Sequence, residues 1–224
     1  MSATIVQAET SGDADDTLIG LTSTADWATA RGDASSTGSN YNNSSSTNSV
    51  CVYNRKTTGR GSALWMCYRS YYSFDVSALE GTADSATVKI HLDNLGNTGP
   101  ASGALLVEST LLAGDASDFG NCFTSGTTFG SRLTDTGFSI STTGAVHDFD
   151  LNATGLSRLN GKIGEAGDDG KFQVCLMAER YDYLGYDPGG TTYARFSGVY
   201  SEAAVNKPSI AIEFAEAVTH NAAF

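Results

Sequence analysis

The sequence predicts an all-β chain, an antiparallel two-sheet β-sandwich of about eight to ten strands with one or two short helical turns. Three observations carry that expectation. Trp65 to Phe74 is aromatic-rich and free of Gly and Pro, a composition that packs well on a pleated surface. From Ala86 to Leu92, the residues Ala86, Val88, Ile90 and Leu92 alternate with Thr87, Lys89 and His91, the period of a strand with one wet face. Finally, 25 Gly beside only 3 Pro, with abundant Ser and Thr, describe many short strands joined by turns. The 224 residues suffice for one domain with a sizeable core, expected over residues 1–214 with a loose tail over 215–224.

Taken in order, residues 3–9 read as an opening strand and Ser11 to Asp16 as the acidic turn leaving it. That turn lacks the ligand spacing of a calcium loop. Thr17–Leu21 and Asp26–Arg31 are expected as two more short strands. Residues 32–49, GDASSTGSNYNNSSSTNS, offer little to bury beyond Tyr41, so they are expected as a mobile loop or a surface arm ordered by a neighbour, protease-resistant only once a partner binds. Val50–Tyr53 is a strand, and Asn54 to Gly61 a basic hairpin-like tip. After the aromatic strand, Asp75 to Gly81 reads as one helical turn with Asp75 as N-cap.

Asp93–Ser102 is expected as a loop and Gly103–Leu112 as a strand, followed by a long connection pinned to the body by Phe119, Cys122, Phe123 and Phe129. Gly137–Ser141 and Val146–Leu151 read as strands, with His147 and Asp148 facing opposite ways. Asn152–Asn160 holds one helical turn. Lys171–Leu184 has a nearly continuous apolar run, as in a central strand covered on both faces. Asp187-Pro188-Gly189-Gly190 is a turn, and Tyr193–Tyr200 and Ser209–Phe214 are the last two strands.

A formal charge of −12 and a pI near 4.4 give a field that repels polyanions, so no nucleic-acid partner is expected. No run approaches the roughly 18 to 20 apolar residues of a membrane helix, and MSATIVQAET has neither the basic nor the apolar region of an export signal. Cys51, Cys67, Cys122 and Cys175 are widely spaced without CxxC pairs, so buried free thiols are expected rather than a metal site or disulfides. The motifs HExxH, GxSxG, GxGxxG and Walker A do not occur, and neither an enzyme nor a cofactor is expected. Paired carboxylates for glycoside cleavage are a matter of spatial separation that sequence does not settle.

Two groups are the candidate binding residues. Tyr181, Tyr183, Tyr186 and Tyr193 flank the Asp187 turn, and tyrosine either stacks on a sugar ring or anchors a protein interface. The alternative is that two of the four merely cap the sandwich. Arg55, Lys56 and Arg60 make the one locally positive spot, either a solvated turn or a contact for an acidic neighbour.

The run YRSYYSFDVSAL, then SATVKIHL, HDFDLNATGL, KFQVCLMAE and ARFSGVYSEAAVNKPSIAIEF, resembles the DNRLRE-type jelly-roll domains. The matching positions are Phe74, Asp75, Leu79, Ala86, Phe149, Asp150, Phe196, Ser197, Ser201, Glu202 and Pro208, over about residues 65 to 214. The Arg common before the family's Glu is missing at Tyr200-Ser201-Glu202. The resemblance implies a jelly roll and either of two uses: a structural protein of tailed phages or a carbohydrate-binding module. The first is the leading expectation: a decoration or cement protein on the outer capsid surface, touching the major capsid protein or other virion proteins, as a homo-oligomer such as a trimer. The carbohydrate-binding module, or an adhesive knob on a phage fibre recognising a surface glycan, is the alternative.

Overall fold

A computed structural model describes residues 3–7, 16–42, 48–58, 62–98, 103–110, 115–135, 145–189, 192–199 and 207–215. Within them the chain forms β1 (Thr4–Gln7), β2 (Asp16–Ser23), α1 (Trp27–Arg31), β3 (Asn40–Asn42), β4 (Asn48–Thr57), β5 (Leu64–Asp75), β6 (Ala83–Thr98) and β7 (Ala104–Glu108). A 3-10 helix over Ala116–Cys122 leads into β8 (Phe123–Ser125), β9 (Thr128–Phe129), β10 (Ala145–Asp150) and α2 (Ala153–Asn160). A second 3-10 turn (Gly167–Gly170), β11 (Lys171–Ala178), a π-helical turn (Glu179–Tyr183), β12 (Tyr193–Val199) and β13 (Ser209–Phe214) complete it. The fold is the expected all-β antiparallel sandwich. Three of its strands, β3, β8 and β9, are only two or three residues long.

Among the described residues every strand pairing is antiparallel, and eleven strands share one sheet curled round the core in the order β1-β13-β6-β12-β4-β5-β11-β7, with β10 on β6, β2 on β5 and β3 on β2. The curl follows from the two longest strands. While β2 holds one edge of β5 along Trp65–Tyr72, the other edge passes from β4, at Leu64–Tyr68, to β11, at Ser70–Asp75. In the same way β6 passes from β13, at Ala83–Lys89, to β12, at Leu92–Thr98. One strand thus serves two layers, which right-handed twist makes easy for long strands.

Period-2 burial fills the space between. Ala86, Val88, Ile90 and Leu92 of β6 point inward, as do Phe149 of β10 and Ile210 and Ile212 of β13. Val174 to Ala178 of β11 are all buried, between β5 and β7. Phe119, Cys122 and Phe123 are buried and Phe129 packs against the core, so the long connection is pinned as expected. Cys67, Cys122 and Cys175 are buried free thiols, and burial pushes the Cys67 and Cys175 thiols well up.

Several segments differ from expectation, each for a physical reason. Asp26–Arg31 is no strand: Asp26 Oδ1 accepts from Thr29 N at 2.7 Å as an N-cap, and Gly32, with φ of 69°, ends the α1 turn. Conversely, Asp75 to Gly81 is not helical. Asp75 Oδ1 instead takes the backbone N and hydroxyl of Ser77 in an Asx turn, with Leu79 N bonded to Val76 O. The supposed loop from Asp93 is β6 itself, continued to Thr98 because β12 pairs with it. Lys171–Leu184 stops being a strand at Ala178, and Asn152–Asn160 is a two-turn helix capped by Asn152.

The start of the Ser/Asn tract is hydrogen-bonded to the rest of the chain. Ala34 N bonds Gly126 O, Gly38 N bonds Ala116 O and Ser39 N bonds Gly20 O, and β3 pairs with β2. Backbone hydrogen bonds, not apolar burial, hold it. Residues 43–47, the strand expected at Gly137–Ser141, the acidic turn at 11–15, and all but Ala215 of the tail lie outside the described residues.

Candidate functional site

On β4, Val52 and Asn54 face inward while Tyr53 and Arg55 face away from the core. The same alternation on β12 buries Ala194 and Phe196 and turns Tyr193 and Arg195 outward. On β5, Cys67 and Arg69 point in, and Met66 and Tyr68 out. Register then aligns these outward residues. Arg195 pairs with Tyr53, Tyr53 with Tyr68, and Tyr68 with Gly20, one row across β12, β4, β5 and β2. The next row holds Tyr193, Arg55, Met66 and Thr22, with Arg55 paired to Met66 and Met66 to Thr22.

The side chains of this face touch in sequence. The Arg195 guanidinium lies 5.6 Å from the Tyr53 ring centre, and the Tyr53 and Tyr68 rings are 6.0 Å apart at 54°. Arg55 lies 5.2 Å from the Tyr193 ring centre and donates from Nη1 to the Tyr53 hydroxyl at 3.0 Å. That hydrogen bond raises the Arg55 pKa, so the guanidinium stays charged. Burial raises the half-buried Tyr68, which stays neutral. A Cβ on Gly20 would sit 2.5 Å from Cδ1 and Cε1 of Tyr68, so only glycine lets that ring lie down on the sheet. Arg55 Nε and Arg195 Nε are shielded and have no hydrogen-bond partner among the described residues, so ring stacking, joined at Arg55 by the bond to Tyr53, holds these guanidinia.

The expected site residues divide. Arg55 and Tyr193 meet on this face. Lys56, the next strand residue, points the other way: its Nζ lies 4.5 Å over the Trp65 ring, whose Nε1 donates to Asp187 Oδ1 at 3.3 Å. Arg55 and Lys56 therefore belong to β4 and not to a hairpin tip, and Arg60 lies outside the described residues. Asp187 also accepts from Gly189 N at 2.9 Å, with Gly189 at φ of 67°, the expected turn.

Tyr181 is no surface residue: it is 1 % exposed in the core. A strand would have set Tyr181 and Tyr183 on one face. The π turn separates them, turning Tyr181 and Asp182 inward and leaving Tyr183 half-buried. Tyr183 stacks on Phe129 at 5.5 Å, with Arg132 beside it, and Tyr186, 53 % exposed, carries Arg180 over its ring at 4.5 Å. Tyr53, Tyr68, Met66 and Arg195, which complete the face, were not singled out from sequence. Their only signal was period-2 alternation around Val52, Cys67 and Ala194, and cross-strand register brings them together.

His147 and Asp148 face opposite ways, as expected: His147 is buried, with Nε2 3.2 Å from Leu92 O, while Asp148 is exposed and pairs with Lys89 at 2.9 Å. Among the described residues no three His, Cys, Asp or Glu side chains are grouped to hold a metal ion, and no helix is long and apolar enough to cross a membrane. No protein-family model and no curated protein matches the chain.

Proposed function

We propose that this chain is a structural protein of a tailed-phage virion, a decoration or cement protein on the outer capsid surface that docks on the major capsid protein through the Arg195–Tyr53–Tyr68 face. The observation that carries the reading is that row and its neighbour: three tyrosines, two arginines and a methionine on one outward face of β12, β4 and β5. Tyr, Met and Arg are enriched where protein interfaces concentrate binding energy, and pre-stacked side chains lose little entropy on docking. The acidic charge suits the outside of a nucleic-acid-filled shell, and the resemblance to DNRLRE-type jelly rolls supports the same reading. Adhesion, not turnover, is the role, and the protein acts as a homo-oligomer. Quantitative mass spectrometry of purified particles tests this. The chain is expected in a fixed ratio to the major capsid protein, and absence or trace amounts would overturn the proposal.

A carbohydrate-binding reading is favoured by one feature, the Tyr68 ring laid on Gly20 as a flat shelf on which a sugar ring stacks. Binding on a glycan array, lost in Tyr68→Ala, would move the assignment to a glycan-binding module or fibre knob.

A further inference from the structure

We propose that a groove separate from the aromatic face, formed by the end of β7, the end of α2 and the start of β11, binds a small hydroxycarboxylate carrying one negative charge. The inference is independent of the virion reading. The cavity is about 300 Å³, at the lower end for ligand pockets. Its lining includes Glu108, Ser109, Arg158, Lys162, Lys171 and Phe172. Three cations in one groove are unusual in a chain with 13 Lys and Arg against 25 Asp and Glu.

Two of those cations have carboxylate partners. Arg158 Nε pairs with Glu108 Oε1 at 3.2 Å, and Lys171 Nζ reaches Asp168 Oδ1 at 3.6 Å, where Asp168 is almost fully exposed. Lys162 has no ion-pair partner among the described residues. Ser109 is 6 % exposed and its Oγ has no hydrogen-bond partner among the described residues, although its backbone N bonds Gln173 O at 3.3 Å. A buried hydroxyl left unanswered costs free energy that a ligand oxygen recovers.

Both signs of charge define the ligand. Lys162 and Arg158 attract a carboxylate, and Ser109 supplies a donor or acceptor. Glu108 accepts from ligand hydroxyls but repels a second negative charge, which disfavours phosphate dianion. Buried Phe172 supplies an apolar floor beneath the carbon chain.

The test is a titration of the full chain with sodium gluconate, followed by amide NMR shifts and calorimetry, with sorbitol and inorganic phosphate as comparisons. Shifts are expected at Ser109, Lys162 and Lys171, with gluconate binding more tightly than phosphate and sorbitol not binding. Lys162→Gln, a surface change that keeps the fold, should weaken gluconate about tenfold, the worth of one charge-assisted hydrogen bond. Failure of gluconate to shift these residues, an unchanged affinity in Lys162→Gln, equal binding of sorbitol, or tighter binding of phosphate would each overturn the proposal.

Discussion

A guanidinium buried without partners costs several kcal/mol, and Arg69, 0 % exposed, is viable because four of its N–H groups are answered. Nε and Nη2 donate to the two oxygens of Asp182, both at 2.7 Å, while Nη2 also reaches Arg31 O at 2.8 Å and Nη1 reaches Phe119 O at 3.3 Å. The Phe119 and Phe123 rings lie 4.4 and 4.9 Å from its carbon centre. Burial works against the charge, but Asp182 together with the neighbouring Cys122 and Cys67 outweighs it and holds the pKa well up. Asp182→Ala, which strands that charge, is expected to cost about 3–5 kcal/mol in denaturant unfolding. A loss below about 1 kcal/mol would show that the pair does not hold the interior. Sequence could not reveal the pair, because Arg69 and Asp182 are 113 positions apart and each sits in a run that reads as ordinary strand. The same distance blindness hid Arg195 beside Tyr53.

Elements were legible where local pattern and tertiary demand agree. β13 and the first half of β6 alternate cleanly, and the structure keeps them as read. The second half of β6, DNLGN, is built of poor strand formers, and only pairing with β12 makes it a strand. In α1 the signals are present but short: Asp26 before and Gly32 after five residues are a cap and a stop, and five residues are too few to show a 3.6-residue period. At this scale Gly20 carries the strongest test. Because Tyr68 is half-exposed, Gly20→Ala should displace its ring from the sheet while leaving the fold cooperative. Partner binding is expected to fall about tenfold or more with an unfolding midpoint nearly unchanged. Unchanged binding would remove the flat tyrosine from the docking surface.

Across the whole molecule, one curled sheet joins both layers, so the outward rows of β12, β4 and β5 sit on a rigid support that leaves their side chains preorganised. Such preorganisation favours the docking proposed for this face. The most direct test is reconstitution of purified chain onto phage heads lacking it, comparing wild type with the Tyr53→Ala and Arg195→Ala double variant after confirming that the variant folds. Saturable occupancy is expected for wild type, and loss of nearly all occupancy for the variant. Equal occupancy by both, or no binding by wild type, would contradict the proposed docking.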